Sequence, residues 1–281
     1  MQLWIIFTIS AAFVQNLRFM LQRNLNHSGL TPTGATFARF IFGAPIAAIL
    51  LFILLTNFDY PLPSTQTKFF LYCAMGGIAQ ILATILTIKI FEKRNFSIGI
   101  IFTKTEVIQT AIVGFLFLGE SLSAYGALAI LISFLGLIFL SRPKKLSNPT
   151  SISKYFNQTS LIGLGAGAFF GFSAVGYRAA SLSLIDGNFI IRAATTLAFV
   201  TIFQATLMAF WLTISDRKEA YKTIILWRIS GLVGIFGILG SYCWFMAFTL
   251  QNAAYVRAVG QIELVFTFIG SYFFSRKNIQ N

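Results

Sequence analysis

Nine stretches of about twenty apolar residues follow one another through the chain, at 3–22, 33–56, 68–90, 97–118, 122–141, 160–184, 188–214, 227–250 and 252–274. A helix needs roughly 20 such residues to cross the hydrocarbon core of a bilayer. The pattern therefore predicts an all-α fold, a polytopic membrane helical bundle of about nine transmembrane helices. Charge supports this: only 10% of the residues are charged, against about 25% in a soluble domain.

The net charge of +13 raises nucleic acid as a partner, and the placement of the charges argues against it. Nucleic-acid binders group basic residues on a soluble surface. Here Lys and Arg fall mostly in the short gaps between apolar runs, where they set orientation. The expected partners are a lipid bilayer and a small-molecule substrate, with no nucleic acid; a homodimer is allowed. The two cysteines, Cys73 and Cys243, each lie inside an apolar run and are expected to be free thiols. The first run has neither a basic n-region nor a small-residue cleavage site, and it reads as a retained helix rather than a signal peptide.

Most gaps are short and hold Asn, Gly, Pro and Asp, the turn formers. Two are longer. One, SRPKKLSNPTSISKYFNQT at 141–159, is polar and contains proline, which suits a linker between halves. The other, SDRKEAYK at 215–222, reads as a charged surface loop. Pro45, inside the second run, removes a backbone hydrogen bond and is expected to kink that helix. Gly163, Gly167 and Gly171 make a double GxxxG, and Gly231, Gly234, Gly237 and Gly240 recur every third residue; small residues let helix backbones approach in lipid. The stretch GLGAGAFFG is not a dinucleotide loop, because no strand precedes it and no acidic residue follows at the right distance.

The chain also matches itself. At an offset of 157, Phe91 falls on Phe248, Asn95 on Asn252, Glu106 on Glu263, Ile112 on Ile269 and Phe117 on Phe274; Lys104-Thr105-Glu106 lies over Gln261-Ile262-Glu263. An offset of about 153 puts Arg39 on Arg192. Internal repeats are common in transporters. The expected organisation is a first repeat over 1–145 with five helices, a linker at 146–159, and a second repeat over 160–281 with four. Five helices per half is an odd number, so the halves are inverted. Gly119-Glu120-Ser121 leads into a fifth helix, whereas the equivalent Arg276-Lys277-Asn278 precedes the end of the sequence at Asn281. The expectation is either a nine-helix variant or a truncated chain.

The repeat, the Ala38-Arg39-Phe40 start of the second run, the stretch FLFLGESLSAYGALAILISFLGLIFL at 115–140 and the segment Ala253 to Phe274 with Gln261-x-Glu263 together resemble the EamA-type branch of the drug/metabolite transporter superfamily. The resemblance spans nearly the whole chain. It implies a helical basket with a central cavity between the halves and movement of small polar metabolites, such as amino acids. The absent tenth helix departs from the family pattern. The resemblance also implies a cytoplasmic N-terminus. The basic residues in the gaps after the first, third, fifth, seventh and ninth runs instead predict an N-terminus that faces outside.

Ionisable residues within spans are costly and are functional candidates by default. Lys104 and Glu106 are about 200° apart on a helix and do not pair directly, while Glu106 and Gln109 share a face. Gln261 and Glu263 repeat the relation of Lys104 to Glu106, with Arg257 one turn earlier. The expected substrate-binding cavity holds Gln15, Asn16, Arg39, Lys104, Glu106, Gln109, Arg192, Trp244, Gln261 and Glu263. In it an arginine grips an anionic group bidentately, and Glu106 and Glu263 are candidate proton carriers. The competing readings are structural ion pairs, arginines snorkelling to the headgroups, interhelical amide bonds for Gln15 and Asn16, and interface anchoring for Trp244 and Tyr255.

No enzyme motif is present. His27, the single histidine, sits in a gap; Asp59, Asp186 and Asp216 are isolated; and no cluster suits a metal. No cofactor is expected. The reading is a secondary transporter of the inner (plasma) membrane moving small polar metabolites by alternating access, with a non-transporting or assembly-partner membrane protein as the alternative.

Overall fold

The computed structural model describes residues 2–93, 96–140 and 158–267, with backbone only at 96–97, 133 and 137–140. The expected linker, but for Gln158 and Thr159, and the ninth run beyond 267 lie outside the described residues. Eleven helices occur among them: α1 (Leu3–His27), α2 (Pro32–Asn57), α3 (Thr67–Phe91), α4 (Phe96–Thr103), α5 (Glu106–Leu118), α6 (Ala124–Leu140), α7 (Gln158–Ser183), α8 (Phe189–Ser215), α9 (Arg217–Ile225), α10 (Trp227–Leu250) and α11 (Ala253–Gly260).

Seven segments are long and apolar enough to cross a membrane: α1, α2, α3, α4 and α5 taken together, α7, α8 and α10. The chain is an all-α polytopic membrane bundle. Local chemistry sets the helix ends. Thr31 caps α2 by accepting from the Gly34 amide, with Pro32 in the first turn. Asn188 caps α8 and Asn252 caps α11. Gly119, at φ 65°, closes α5 in the left-handed conformation that lets the chain turn away.

Polarity is sorted for lipid rather than water. Phe52, Leu71, Leu116, Phe210 and Trp211 are more than three-fifths exposed, while Gln22, Thr84, Ser173 and Gln204 are buried. Interior packing relies on small residues. A Cβ built on Gly163 would lie 2.3 Å from the Gly99 carbonyl oxygen, and one on Gly167 would lie 2.8 Å from that of Thr103, so α7 rests directly on α4 and α5. On α10, Gly234 meets Phe42 and Gly43 of α2, and Gly240 meets Val14 of α1, whereas Gly231 faces open space.

Three expectations are corrected. The run 215–222 is not a loop, because Asp216 accepts from the Glu219 amide and starts the short helix α9; Asp-x-x-Glu is the spacing of a capping box. His27 ends α1 rather than lying in a gap. The fourth run is not one helix. It breaks at Lys104-Thr105, where the amides of Lys104 and Thr105 reach three residues back, to Ile101 and Phe102. The ninth run breaks in the same way at Gln261-Ile262, whose amides reach Ala258 and Val259, and helix resumes at 263–267. The two breaks stand at the offset of 157 at which the sequence matches itself. Short tightened turns inside helices often mark hinges.

Candidate functional site

Both breaks end on a glutamate, and each glutamate finds its cation on the other broken helix. Lys104 Nζ lies 3.3 Å from Glu263 Oε2, and Arg257 Nη1 lies 3.9 Å from Glu106 Oε2. All four side chains are largely buried. A charge inside a membrane bundle is tolerated when it is paired and faces inward, and these crossed pairs meet both conditions.

Other elements close around the pairs. From α1, Gln15 Nε2 donates to Glu263 Oε2 at 2.9 Å, and Asn16 Nδ2 donates to the Glu263 carbonyl at 3.3 Å. From α10, Trp244 Nε1 donates to Gln15 Oε1 at 3.0 Å, and the Trp244 ring lies 4.8 Å from the Arg257 guanidinium in a cation–π contact. The packing fixes this: a Cβ on Gly260 would lie 2.5 Å from the Trp244 ring. The side-chain atoms Gln109 Oε1, Arg257 Nε, and Gln261 Nε2 and Oε1 are buried with no hydrogen-bond partner among the described residues. Buried polar atoms are rarely left bare without a reason, so this core has spare donors and acceptors for a visiting molecule or water.

A second polar group borders the first. Arg39 of α2 donates to Ser241 Oγ at 2.9 Å and to Thr84 Oγ1 at 3.4 Å. It lines a cavity with Tyr177, Gln204 and Ser241 whose water-accessible volume is about 10 Å³, room for about one water molecule. Gln204 Nε2 donates to Tyr177 Oη at 3.2 Å. Arg18 of α1 lies beside Arg39 across Gly237, where a Cβ would be 3.0 Å from Arg39 Cγ and 3.6 Å from Arg18 Cδ.

Residues 2–142 match the EamA-like transporter family. The chain belongs to the EamA-like transporter family. It is therefore an integral multi-pass membrane protein of a transporter family. No curated protein matches the sequence. Among solved structures, one described only as "Crystal structure of protein" superposes with a TM-score of 0.65 at 10% identity, over 95% of this chain and 86% of that chain; at that identity the likeness is one of fold.

In this EamA-like chain, nine of the residues expected from sequence fall in or beside the core: Gln15, Asn16, Arg39, Lys104, Glu106, Gln109, Trp244, Gln261 and Glu263. Arg192 does not. It lies in the first turn of α8, and its Nε donates to the Asp186 carbonyl at 3.1 Å. Arg39 stands seven residues into α2, about 10 Å along the axis, and that difference in depth separates the two arginines. Arg18, which with Gln15 and Asn16 makes the first helix polar near its end, was not among the residues expected in the cavity; sequence reasoning did not single out Tyr177, Gln204 or Arg178. Arg178 is a cation within an apolar run, which is itself a signal. It bonds Glu120 and the carbonyls of Phe248 at 2.6 Å and Gln251 at 2.7 Å, away from the core.

Proposed function

We propose that this EamA-like protein is a secondary transporter that moves small polar metabolites, amino-acid-like or drug-like, across the inner (plasma) membrane by alternating access. The observation that supports it most is the pair of crossed ion pairs at two broken helices. Lys104–Glu263 and Arg257–Glu106 both tie residues before the linker to residues after it. Their release lets the two halves part, and their re-formation closes the core. The cavity beside Arg39 is too small for a metabolite, which suits an occluded state of such a cycle.

In this reading 1–145 and 160–281 are the two repeats that rock. Gln15, Asn16, Arg39, Gln109, Trp244 and Gln261 contact the substrate, and Lys104, Glu106 and Glu263 hold or release the closed state. A proton taken up by Glu106 or Glu263 removes one charge of a pair and loosens it, which couples opening to protons.

Solute counterflow into proteoliposomes holding the purified chain tests the reading, with metabolite profiling of expressing cells to find the solute. Expected is a solute whose uptake falls in Glu106→Gln and Glu263→Gln. Stable insertion with no solute moved would replace transport by the non-transporting, assembly-partner reading. Unchanged uptake and pH dependence in both variants would remove the proton role alone.

A further inference from the structure

The core carries more positive charge than the chain can neutralise. The sequence has eight acidic residues, and every one lies among the described residues. Six lie elsewhere. Glu120 takes Arg178, Glu219 takes Thr31, Glu92 accepts from Asn26, Asp216 caps α9, and Asp59 and Asp186 occupy left-handed turn positions outside the helices. Only Glu106 and Glu263 remain for Arg18, Arg39, Lys104 and Arg257. Lys104 and Arg257 take them.

That leaves two guanidiniums, with side chains buried almost completely, side by side across Gly237. Neither bonds a carboxylate. Arg39 has two hydroxyl partners. Arg18 Nη1 donates to the amide oxygen of Gln22, and its Nη2 has no partner among the described residues. Burying a cation without its counter-charge costs several kcal/mol, and two like charges in a poorly screened interior raise the cost. Arginine, a planar fork of donors, is the side chain best matched to a carboxylate or a phosphate. The cavity beside Arg39 adds the hydroxyls of Ser241 and Tyr177 and the amide of Gln204.

We infer that Arg18 and Arg39 form the seat for the oxyanion of an organic acid, so that the molecule carried has a net negative charge. The inference rests on the transport reading and narrows it. A substrate ammonium group finds both core glutamates already paired, so organic acids and organic phosphates suit the core better than amino acids or cationic drugs.

The test is the melting temperature of the purified full-length chain in detergent, at constant ionic strength, with succinate, benzoate, glycerol 3-phosphate, alanine or methylammonium. Expected is a saturable rise with at least one of the three oxyanions and none with alanine or methylammonium; whether a carboxylate or the phosphate acts identifies the source of the oxyanion. Arg39→Gln should weaken that binding at least about tenfold, as loss of a bidentate charged contact implies, and Arg39→Lys should retain part of it. Arg192→Gln, which alters a cation outside the core, should leave it unchanged. If Arg39→Gln does not fold, Ser241→Ala serves instead and should weaken binding several-fold by freeing one arm of Arg39. No shift with any oxyanion, an equal shift with methylammonium, or full binding by the Arg39 and Ser241 variants overturns the inference. Counterflow separates the two readings. Movement of a neutral or cationic solute overturns the anion seat and leaves transport standing, whereas oxyanion binding without movement does the reverse.

Discussion

Lys104 and Glu263 are 159 residues apart in the chain, and their charged atoms are 3.3 Å apart. Each sits at the break of an apolar run, so the contact joins the two breaks. Gln15 adds a hydrogen bond to the same carboxylate oxygen and is itself oriented by Trp244. One carboxylate thus gathers α1, α10 and both broken helices.

Removing one partner should cost more than removing both. Among the described residues, Lys104→Met leaves Glu263 with a neutral amide as its side-chain partner, and Glu263→Leu leaves Lys104 with none. Each is expected to lose on the order of 3 kcal/mol, the usual penalty for orphaning a buried charge. The double variant, which leaves no orphaned charge, should lose less than either single. Unfolding in mixed micelles measures the cycle, and additive losses would mean that the pair is not coupled.

The glycines of α7 and α10 should respond differently to the same change. Gly167→Ala places a methyl group 2.8 Å from the Thr103 carbonyl oxygen and 3.2 Å from the Glu106 amide, so α7 must back away from the helix break. A loss of about 1–3 kcal/mol is expected, as for other overpacked sites. Gly231→Ala meets nothing within 4 Å and should be neutral or gain up to about 1 kcal/mol from helix propensity. Melting of the two purified variants checks the contrast.

What could be read from the sequence follows from what hydropathy encodes. Spans are long apolar averages, so α2, α3, α8 and α10 appear within about two residues of their true ends. The close approach of α7 was also legible, because GxxxG reports a local need for space. The break at Lys104-Thr105 was not. No proline or glycine lies within the turn, the apolar run passes through it, and the contact of Gly167 of α7 with Thr103 and Glu106 that accompanies it is set by tertiary packing. Helix α9 was hidden by its charge, although its capping pattern was present at Asp216 and Glu219. The crossed pairing of Lys104 with Glu263 had no signature at all, since spacing along one helix says nothing about a partner on another.

Helix α9 should act as a clamp on the turn between α1 and α2. Glu219 Oε1 accepts from the Thr31 amide at 2.6 Å and its hydroxyl at 2.8 Å, and Lys222 Nζ donates to the Gly29 carbonyl. Glu219→Ala strips the Thr31 amide of its acceptor, at a cost of about 1–3 kcal/mol, and should speed hydrogen exchange in 28–34 and 217–225 together. Asp216→Ala removes only the cap of α9, worth about 1 kcal/mol, and should speed exchange in 217–225 alone. If both variants give the same exchange pattern, Glu219 does not link the two segments.

Arg178 should resist replacement even by lysine. Its Nε meets Glu120 in the turn between α5 and α6, while its Nη1 donates to two carbonyls at the end of α10, those of Phe248 and Gln251. A planar guanidinium can make these contacts at once because its donors point in different fixed directions. An ammonium of similar reach is a single point and satisfies one side at a time. Arg178→Lys is therefore expected to lose about 1.5–3 kcal/mol, the range for a hydrogen bond involving a charged group, and to loosen the α5–α6 turn and the α10 end together. Glu120→Gln, which keeps an oxygen facing Nε and removes only the charge, should lose less. Thermal melts of the two variants beside the parent rank the losses, and a larger loss in Glu120→Gln than in Arg178→Lys would assign the effect to charge rather than to the shape of the fork.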